Sequence, residues 1–167
     1  MDLVAIHTHL EARRHAASLP VRLYALADAL LLASSRDAPA LVRSPANVAL
    51  FDGTADAALA DAGPWLIDVD GTSETLRDAL LHQAASSNGI SWLISAYDIT
   101  SLGREMQQRL DARLPNGNIV LLRFYDARAM ASIASMLTFS QRLSFFQPTF
   151  DWFTQIDSQL TRIHPHA

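Results

Sequence analysis

The segment ISWLISA, residues 90–96, is apolar on both faces of any strand it could form. A strand with no wet face belongs in the interior of a sheet, with cover on both sides. The rest of the chain supplies neighbours and cover. Residues 21–28, VRLYALAD, read as a strand, and NVALF at 47–51 reads as a short buried one ended by Asp52-Gly53. Gly63-Pro64 breaks the chain before WLIDV, another strand. Helices fall between. Leu3, Ile6, Leu10 and Ala17 recur near helical spacing over residues 2–18, and Pro20 stops that helix. Asp28 is placed to cap a helix over ALLLASS, and Thr54 to cap one over 55–62. Residues 37–45 form a short helix or a loop. Ser73 or Thr72 caps a helix over 74–87, with Leu76, Ala79, Leu80 and Ala84 on its apolar face. Asn88-Gly89 suits its end, since both residues tolerate a left-handed backbone. Residues 100–108 should be helical.

The grammar then changes. Arg109, Asp111 and Arg113 alternate with Leu110, Ala112 and Leu114; Asn116-Gly117 follows, and then the run IVLLRFY over 119–125. Asn-Gly between two such runs signals an antiparallel hairpin with a type I′ turn. Helices follow over 127–137, capped by Asp126, and over FSQRLSFF up to Pro148, with a last amphipathic piece over 151–163. The whole reads as one α/β domain over 1–167, with its core over about 21–153. It has a mixed sheet of five to six short strands flanked by helices, the hairpin around Asn116-Gly117, and a helical C-terminal end.

Composition narrows the function classes. Half of the 167 residues are apolar, and the net charge is −4, without the basic surplus of a nucleic-acid binder. Cysteine is absent, which removes disulfides, thiolate metal sites and Cys nucleophiles and fits a reducing compartment. The N-terminal Arg13-Arg14 pair follows a short apolar segment, the reverse of a secretory signal, and no apolar run reaches membrane-span length. A cytoplasmic protein is expected. All 13 basic residues are arginine, so no lysine-dependent mechanism can operate.

The sharpest catalytic match is DVDGT, in which Asp68 and Asp70 follow the WLIDV strand and precede Gly71 and Thr72. Phosphatases of the haloacid dehalogenase superfamily carry Asp-x-Asp-Gly-Thr at such a strand end, with the first Asp as nucleophile, the second handling the proton, and Mg²⁺ balancing charge. That chemistry also needs a later cation, usually lysine, and a further acid for the metal. This chain has no lysine, and Asp98 is a lone candidate acid. A strand end turning into a helix cap is the better reading. His7 and His9 point to different faces of one helix, Glu11 and His15 are spaced as a surface pair, and His164 and His166 flank Pro165; solvated side chains are expected rather than metal ligands. No Gly-x-Ser-x-Gly, phosphate loop or dinucleotide fingerprint occurs.

Two segments suggest recognition instead. In VLLRFYDAR, 120–128, Arg123 and Tyr125 share one side of the expected strand, and Asp126 and Arg128 follow it. They form either an Arg–Asp network fixing a corner or a polar, planar recognition patch. Phe139, Phe145, Phe146, Phe150, Trp152 and Phe153 gather in one stretch, read mainly as core and secondarily as an aromatic surface.

In chain order, YALADALLL (24–32), LFDGTADAALADAGPWLIDVD (50–70), SWLIS (91–95), RLPNGNIVLLRFYDARAM (113–130) and FFQPTFDWF (145–153) together resemble the adaptor chaperones of bacterial type VI secretion. The resemblance implies a protein without catalytic residues, metal or cofactor. It would hold a toxic effector in the donor cytoplasm and help load it onto the secretion spike, a valine–glycine repeat trimer or its cone-shaped tip. Carried over by position, the signature is Arg123, Phe124, Tyr125, Asp126 and Arg128, with Phe145, Phe146, Phe150, Trp152 and Phe153 as further partner-binding candidates. Ala127 stands where the family often has proline, which costs only some pre-organisation of the helix start. Many members carry a longer helical lobe, so the resemblance implies a smaller cargo surface here. The competing readings are the Mg²⁺-dependent phosphatase on Asp68 and Asp70, and a homodimeric structural protein.

Overall fold

The computed structural model describes residues 3–34, 39–86, 90–156 and 159–163. In chain order the elements are α1 (Leu3–Ala16), β1 (Arg22–Asp28), α2 (Ala29–Ala33), β2 (Asn47–Ala49), a 3₁₀ helix (Ala57–Ala62), β3 (Pro64–Asp68), α3 (Glu74–Ser86), β4 (Ile90–Ser95), α4 (Ile99–Gln107), β5 (Asp111–Arg113), β6 (Ile119–Leu121), α5 (Ala127–Met136), α6 (Phe139–Phe146), β7 (Asp151–Ile156) and β8 (Gln159–Arg162). Six strands form one sheet in the order β2-β3-β1-β4-β7-β8, while β5 and β6 pair only with each other.

The segment that demanded an interior position has one. All six residues of β4 are buried, and it lies between β1 and β7. Directly opposed residues share a face of the sheet. The register Tyr24↔Leu93↔Trp152 therefore places these three on one side, and Ala25↔Trp92↔Phe153 on the other. Helix α1 covers the second side. The His9 ring lies 5.2 Å from that of Phe153, and Arg13 Nε donates to Asp151 Oδ2 at 2.8 Å. The first side is filled by Phe124, Phe145 and Phe146 packed around Trp152, and by α4, where Gly103 lies over Val48.

The α/β class, the six-stranded sheet flanked by helices, the hairpin, and the helices α5 and α6 towards the C-terminus all match expectation. Three details differ. First, every pairing in the sheet is antiparallel, where a mixed sheet was expected. The strands that run the same way are not neighbours: β1 and β2, joined through α2, have β3 between them, and β3 and β4, joined through α3, have β1 between them, so each ladder meets a strand of opposite direction. Secondly, the expected amphipathic helix over 151–163 is the hairpin β7–β8. Its Trp152, Phe153 and Thr154 are strand formers, and the vacant edge of β4 takes them up. Thirdly, the turn of the β5–β6 hairpin is not a two-residue type I′ turn. Gly117 N donates to Leu114 O at 2.9 Å and Leu114 N to Asn118 O at 2.8 Å, so Pro115 and Asn116 form the corners. Gly117 follows at φ +86°, the left-handed residue of a three-residue loop. A type I′ turn over Asn116-Gly117 would pair Pro115 with Asn118, and proline has no N–H for that pair.

The caps largely follow the sequence reading. Asp28 Oδ1 accepts from Leu30 N at 3.0 Å, Ser73 Oγ from Leu76 N at 3.2 Å, and Asp126 Oδ1 from Arg128 N at 3.0 Å. Thr54 Oγ1 instead serves the turn ahead of the 3₁₀ helix, accepting from Asp56 N. Residues 39–45 form neither helix nor regular strand. The Asn88-Gly89 stop, His164 and His166, and the start of the 37–45 segment lie outside the described residues.

Candidate partner-binding surface

The signature segment builds a corner, not a strand. β6 ends at Leu121, and Leu122 N donates to Leu110 O, closing the root of the hairpin. Phe124 N then donates to Leu122 O at 2.9 Å and Asp126 N to Arg123 O at 3.1 Å. These tight turns drive Phe124 inward, where its ring meets Tyr125, Phe145 and Trp152 edge-on at 6.2, 5.6 and 6.0 Å. Arg123 turns outward. Its guanidinium lies 5.7 Å above the Tyr125 ring and 3.8 Å from Asp28 Oδ2. Arg128 grips Asp126 with two bonds, Nε at 2.9 Å and Nη2 at 2.8 Å, from the same helix that Asp126 caps.

The electrostatics follow from these contacts. The Arg128 hydrogen bond is the main cause holding the Asp126 carboxyl below its ordinary range, and the Asp126 contact raises Arg128 in turn. Burial pushes the Tyr125 hydroxyl up, and the Arg123 charge partly opposes it. The network reading of this corner is therefore the better one. Asp28 and Asp126 are buried and each caps a helix, and two half-exposed arginines neutralise them.

The other candidates are placed as follows. Phe145, Phe146, Trp152 and Phe153 are buried, and Phe150 is half-buried with the Arg13 guanidinium 5.7 Å from its ring. These five belong to the core and its margin, and they form no aromatic surface. Of the six aromatics in that stretch, Phe139 is exposed.

The DVDGT loop serves the fold. Asp68 Oδ1 accepts from Asp70 N at 3.1 Å and Gly71 N at 3.2 Å. Asp70 reaches Arg14 at 3.1 Å, and Thr72 Oγ1 bonds Asn47 Oδ1 at 3.1 Å. Each group proposed for phosphoryl chemistry is tied to a neighbour. Asp98 is the N-cap of α4, accepting from Ser101 N at 2.9 Å, and those bonds hold its carboxyl below the ordinary range. Glu11 pairs with Arg14 at 3.0 Å. Among the described residues, no three His, Asp or Glu side chains converge as a metal site would need, and no helix is long and apolar enough to cross a membrane.

What the sequence reading missed is an apolar surface. Leu114, Ile119, Val120 and Leu121 are exposed on the β5–β6 hairpin, and Met136, Phe139 and Leu143 on α5–α6. Between the two lies an open cleft of about 450 Å³. Asp111 and Leu122 line it from the hairpin root, Gln108 and Arg109 from the end of α4, and Gln141 and Phe145 from α6. Arg109 braces its floor, donating to the Phe145 and Ser144 carbonyls at 2.8 and 2.9 Å. The signal was available. Four consecutive apolar residues, 119–122, in a two-stranded ribbon cannot all be covered.

The molecule is thus an antiparallel sheet between helical layers, with an apolar ribbon raised on an arginine-braced corner. The chain belongs to the family described as Domain of unknown function (DUF4123), whose model matches residues 23–144. No curated protein and no solved structure matches it. The matched region runs from β1 into α6. It includes the hairpin and the corner, and it stops short of β7–β8.

Proposed function

We propose that this protein is a non-catalytic adaptor of bacterial type VI secretion, which binds an effector in the cytoplasm and helps load it onto the secretion spike. One observation carries the reading: membership of the DUF4123 family over 23–144, a span that contains four of the five segments whose joint order carries the resemblance to these adaptors. The geometry supports it. Of the twelve large apolar side chains exposed among the described residues, seven lie on the hairpin and the adjoining α5–α6 surface, the composition expected of a surface that meets another protein. The phosphatase reading is disfavoured by the contacts that occupy Asp68, Asp70 and Thr72.

The test is co-expression with the polypeptide encoded beside this gene. The expected result is co-purification as a defined complex, and loss of that polypeptide from the spike when the adaptor is deleted. Effector recovered on the spike at undiminished level without the adaptor would refute the reading. So would Mg²⁺-dependent turnover of a phosphate ester that disappears in Asp68→Asn.

A further inference from the structure

Resting on the adaptor reading, we propose that the outer edge of β6 is a strand-addition site, which takes an extended, apolar segment of a partner polypeptide. In an antiparallel ladder, hydrogen-bonded pairs alternate with pairs whose backbone groups point outward. Leu122 N bonds Leu110 O and Leu114 N bonds Asn118 O, so the bonded pairs are 110–122, 112–120 and 114–118. Ile119 and Leu121 stand between them. Their N–H and C=O groups face away from β5, and the residues are 60% and 39% exposed.

This edge also lacks the usual guards. Charged side chains, proline or a covering element normally blunt a free edge. The β5 edge of the same ribbon carries Asp111 and Arg113. At the ends of the large sheet, β8 carries Arg162, and β2 is turned over by the Ser44–Asn47 bridge. β6 reads Ile-Val-Leu, apolar on both faces. An incoming strand would find backbone partners at Ile119 and Leu121 and apolar neighbours on each side, the arrangement by which exposed edges bind extended peptides.

Area decides between a segment and a second copy of the chain. Two three-residue edges pairing across a two-fold would bury on the order of a few hundred Å², against roughly 1,200–2,000 Å² for a stable interface. A flexible segment gains more. Beyond Leu121 the edge leads past Leu122 into the cleft floored by Phe145 and Arg109, where the segment can continue and a rigid twin cannot follow.

The experiment uses the full isotope-labelled chain and a capped Thr-Val-Thr-Val-Thr peptide, with its fully N-methylated form as control. In the free chain the Ile119 and Leu121 amides should exchange near solvent rates while Val120, bonded to Ala112, is protected. The peptide should slow exchange at 119 and 121 by on the order of tenfold or more, the control peptide should not, and Val120 should stay as it was. Ile119→Pro deletes one outward N–H and no ladder bond, and Ile119→Lys adds a guard; each should abolish the effect, with protection of Val120 reporting that the hairpin still forms. Protection arising at Leu160 and Arg162 instead would overturn the proposal. So would amides at 119 and 121 that are already protected in the free chain, or a chain that sediments as a dimer until Ile119→Lys is introduced. Peptide protection at β6 without any complex with the co-encoded effector would overturn the adaptor reading and leave the edge standing. An effector complex undiminished by Ile119→Pro and Ile119→Lys would do the reverse.

Discussion

Replacing Arg13 and Arg162 together by alanine should cost more than the sum of the two single replacements. The Asp151 carboxylate is fully buried at the start of β7. Arg13 of α1 reaches it with Nε at 2.8 Å and Nη2 at 3.5 Å. Arg162 of β8 reaches it with Nε at 2.8 Å and with Nη2. One carboxylate thus ties the first helix to the last strand. The two guanidiniums are 35% and 39% exposed, so either can turn to water when released. Each single alanine variant leaves the carboxylate one partner and should cost about 1 kcal/mol, close to a surface pair. The double variant leaves a buried charge with no partner, which costs about 3–5 kcal/mol. Asp151→Asn removes the charge and leaves two arginines able to resolvate, so about 2 kcal/mol is expected, between those limits. For a chain of this length that is a fall in Tm of about 4–8 °C. Urea unfolding of the four variants measures these differences directly. Additivity of the two arginine variants within about 0.5 kcal/mol would refute the reasoning, since it would mean that the carboxylate never depended on having at least one partner.

Other perturbations test the corner and the sheet. Asp126 has a folded pKa below its unfolded value, so its contribution is present above the unfolded pKa and is lost as pH falls through the folded one; Asp126→Asn should lower the urea midpoint at pH 7 and flatten its decline in acid. Phe124→Ala removes a ring that meets three others and should cost about 3–5 kcal/mol by thermal or urea unfolding. Gly63→Ala would place a methyl 2.4 Å from Cδ2 of Phe51, whose buried ring abuts Tyr125, so a loss of about 1–3 kcal/mol is expected.

Local chemistry was legible where one side chain decides an outcome. Asp28, Ser73 and Asp126 cap the helices they were expected to cap, because each needs only an oxygen ahead of a helical run. The apolar face count of ISWLIS fixed its interior place. Strand direction was not legible, since it depends on which edges meet in space. The 151–163 piece was misread for the same reason. QIDSQLTRI alone tolerates a helical pattern, and only the open edge of β4 selects extension. At the candidate site, the Arg–Asp pairing of 126 and 128 could be read from adjacency. The Arg123–Asp28 contact could not, because 95 positions separate the two.

The position of the corner explains why the buried signature residues Phe124 and Asp126 are not the exposed apolar ones. Phe124 is held in the core by Phe145 and Trp152, and Asp126 is held by the start of α5. Four residues before Asp126, Leu122 closes the hairpin root against Leu110. The anchor and the ribbon are thus separated by a single residue, Arg123, whose backbone carbonyl accepts from Asp126 N. Loosening the anchor must let the ribbon swing. If RFYDAR acts by aiming β6, then Arg123→Ala and Asp126→Asn should weaken partner binding through misplacement of Ile119 and Leu121, with the exchange of their amides unchanged in the free chain. If the arginines themselves touch the partner, Arg123→Lys should restore binding that Arg123→Ala loses. Under the aiming role it should not, because a lysine ammonium cannot stack flat on Tyr125 while reaching Asp28.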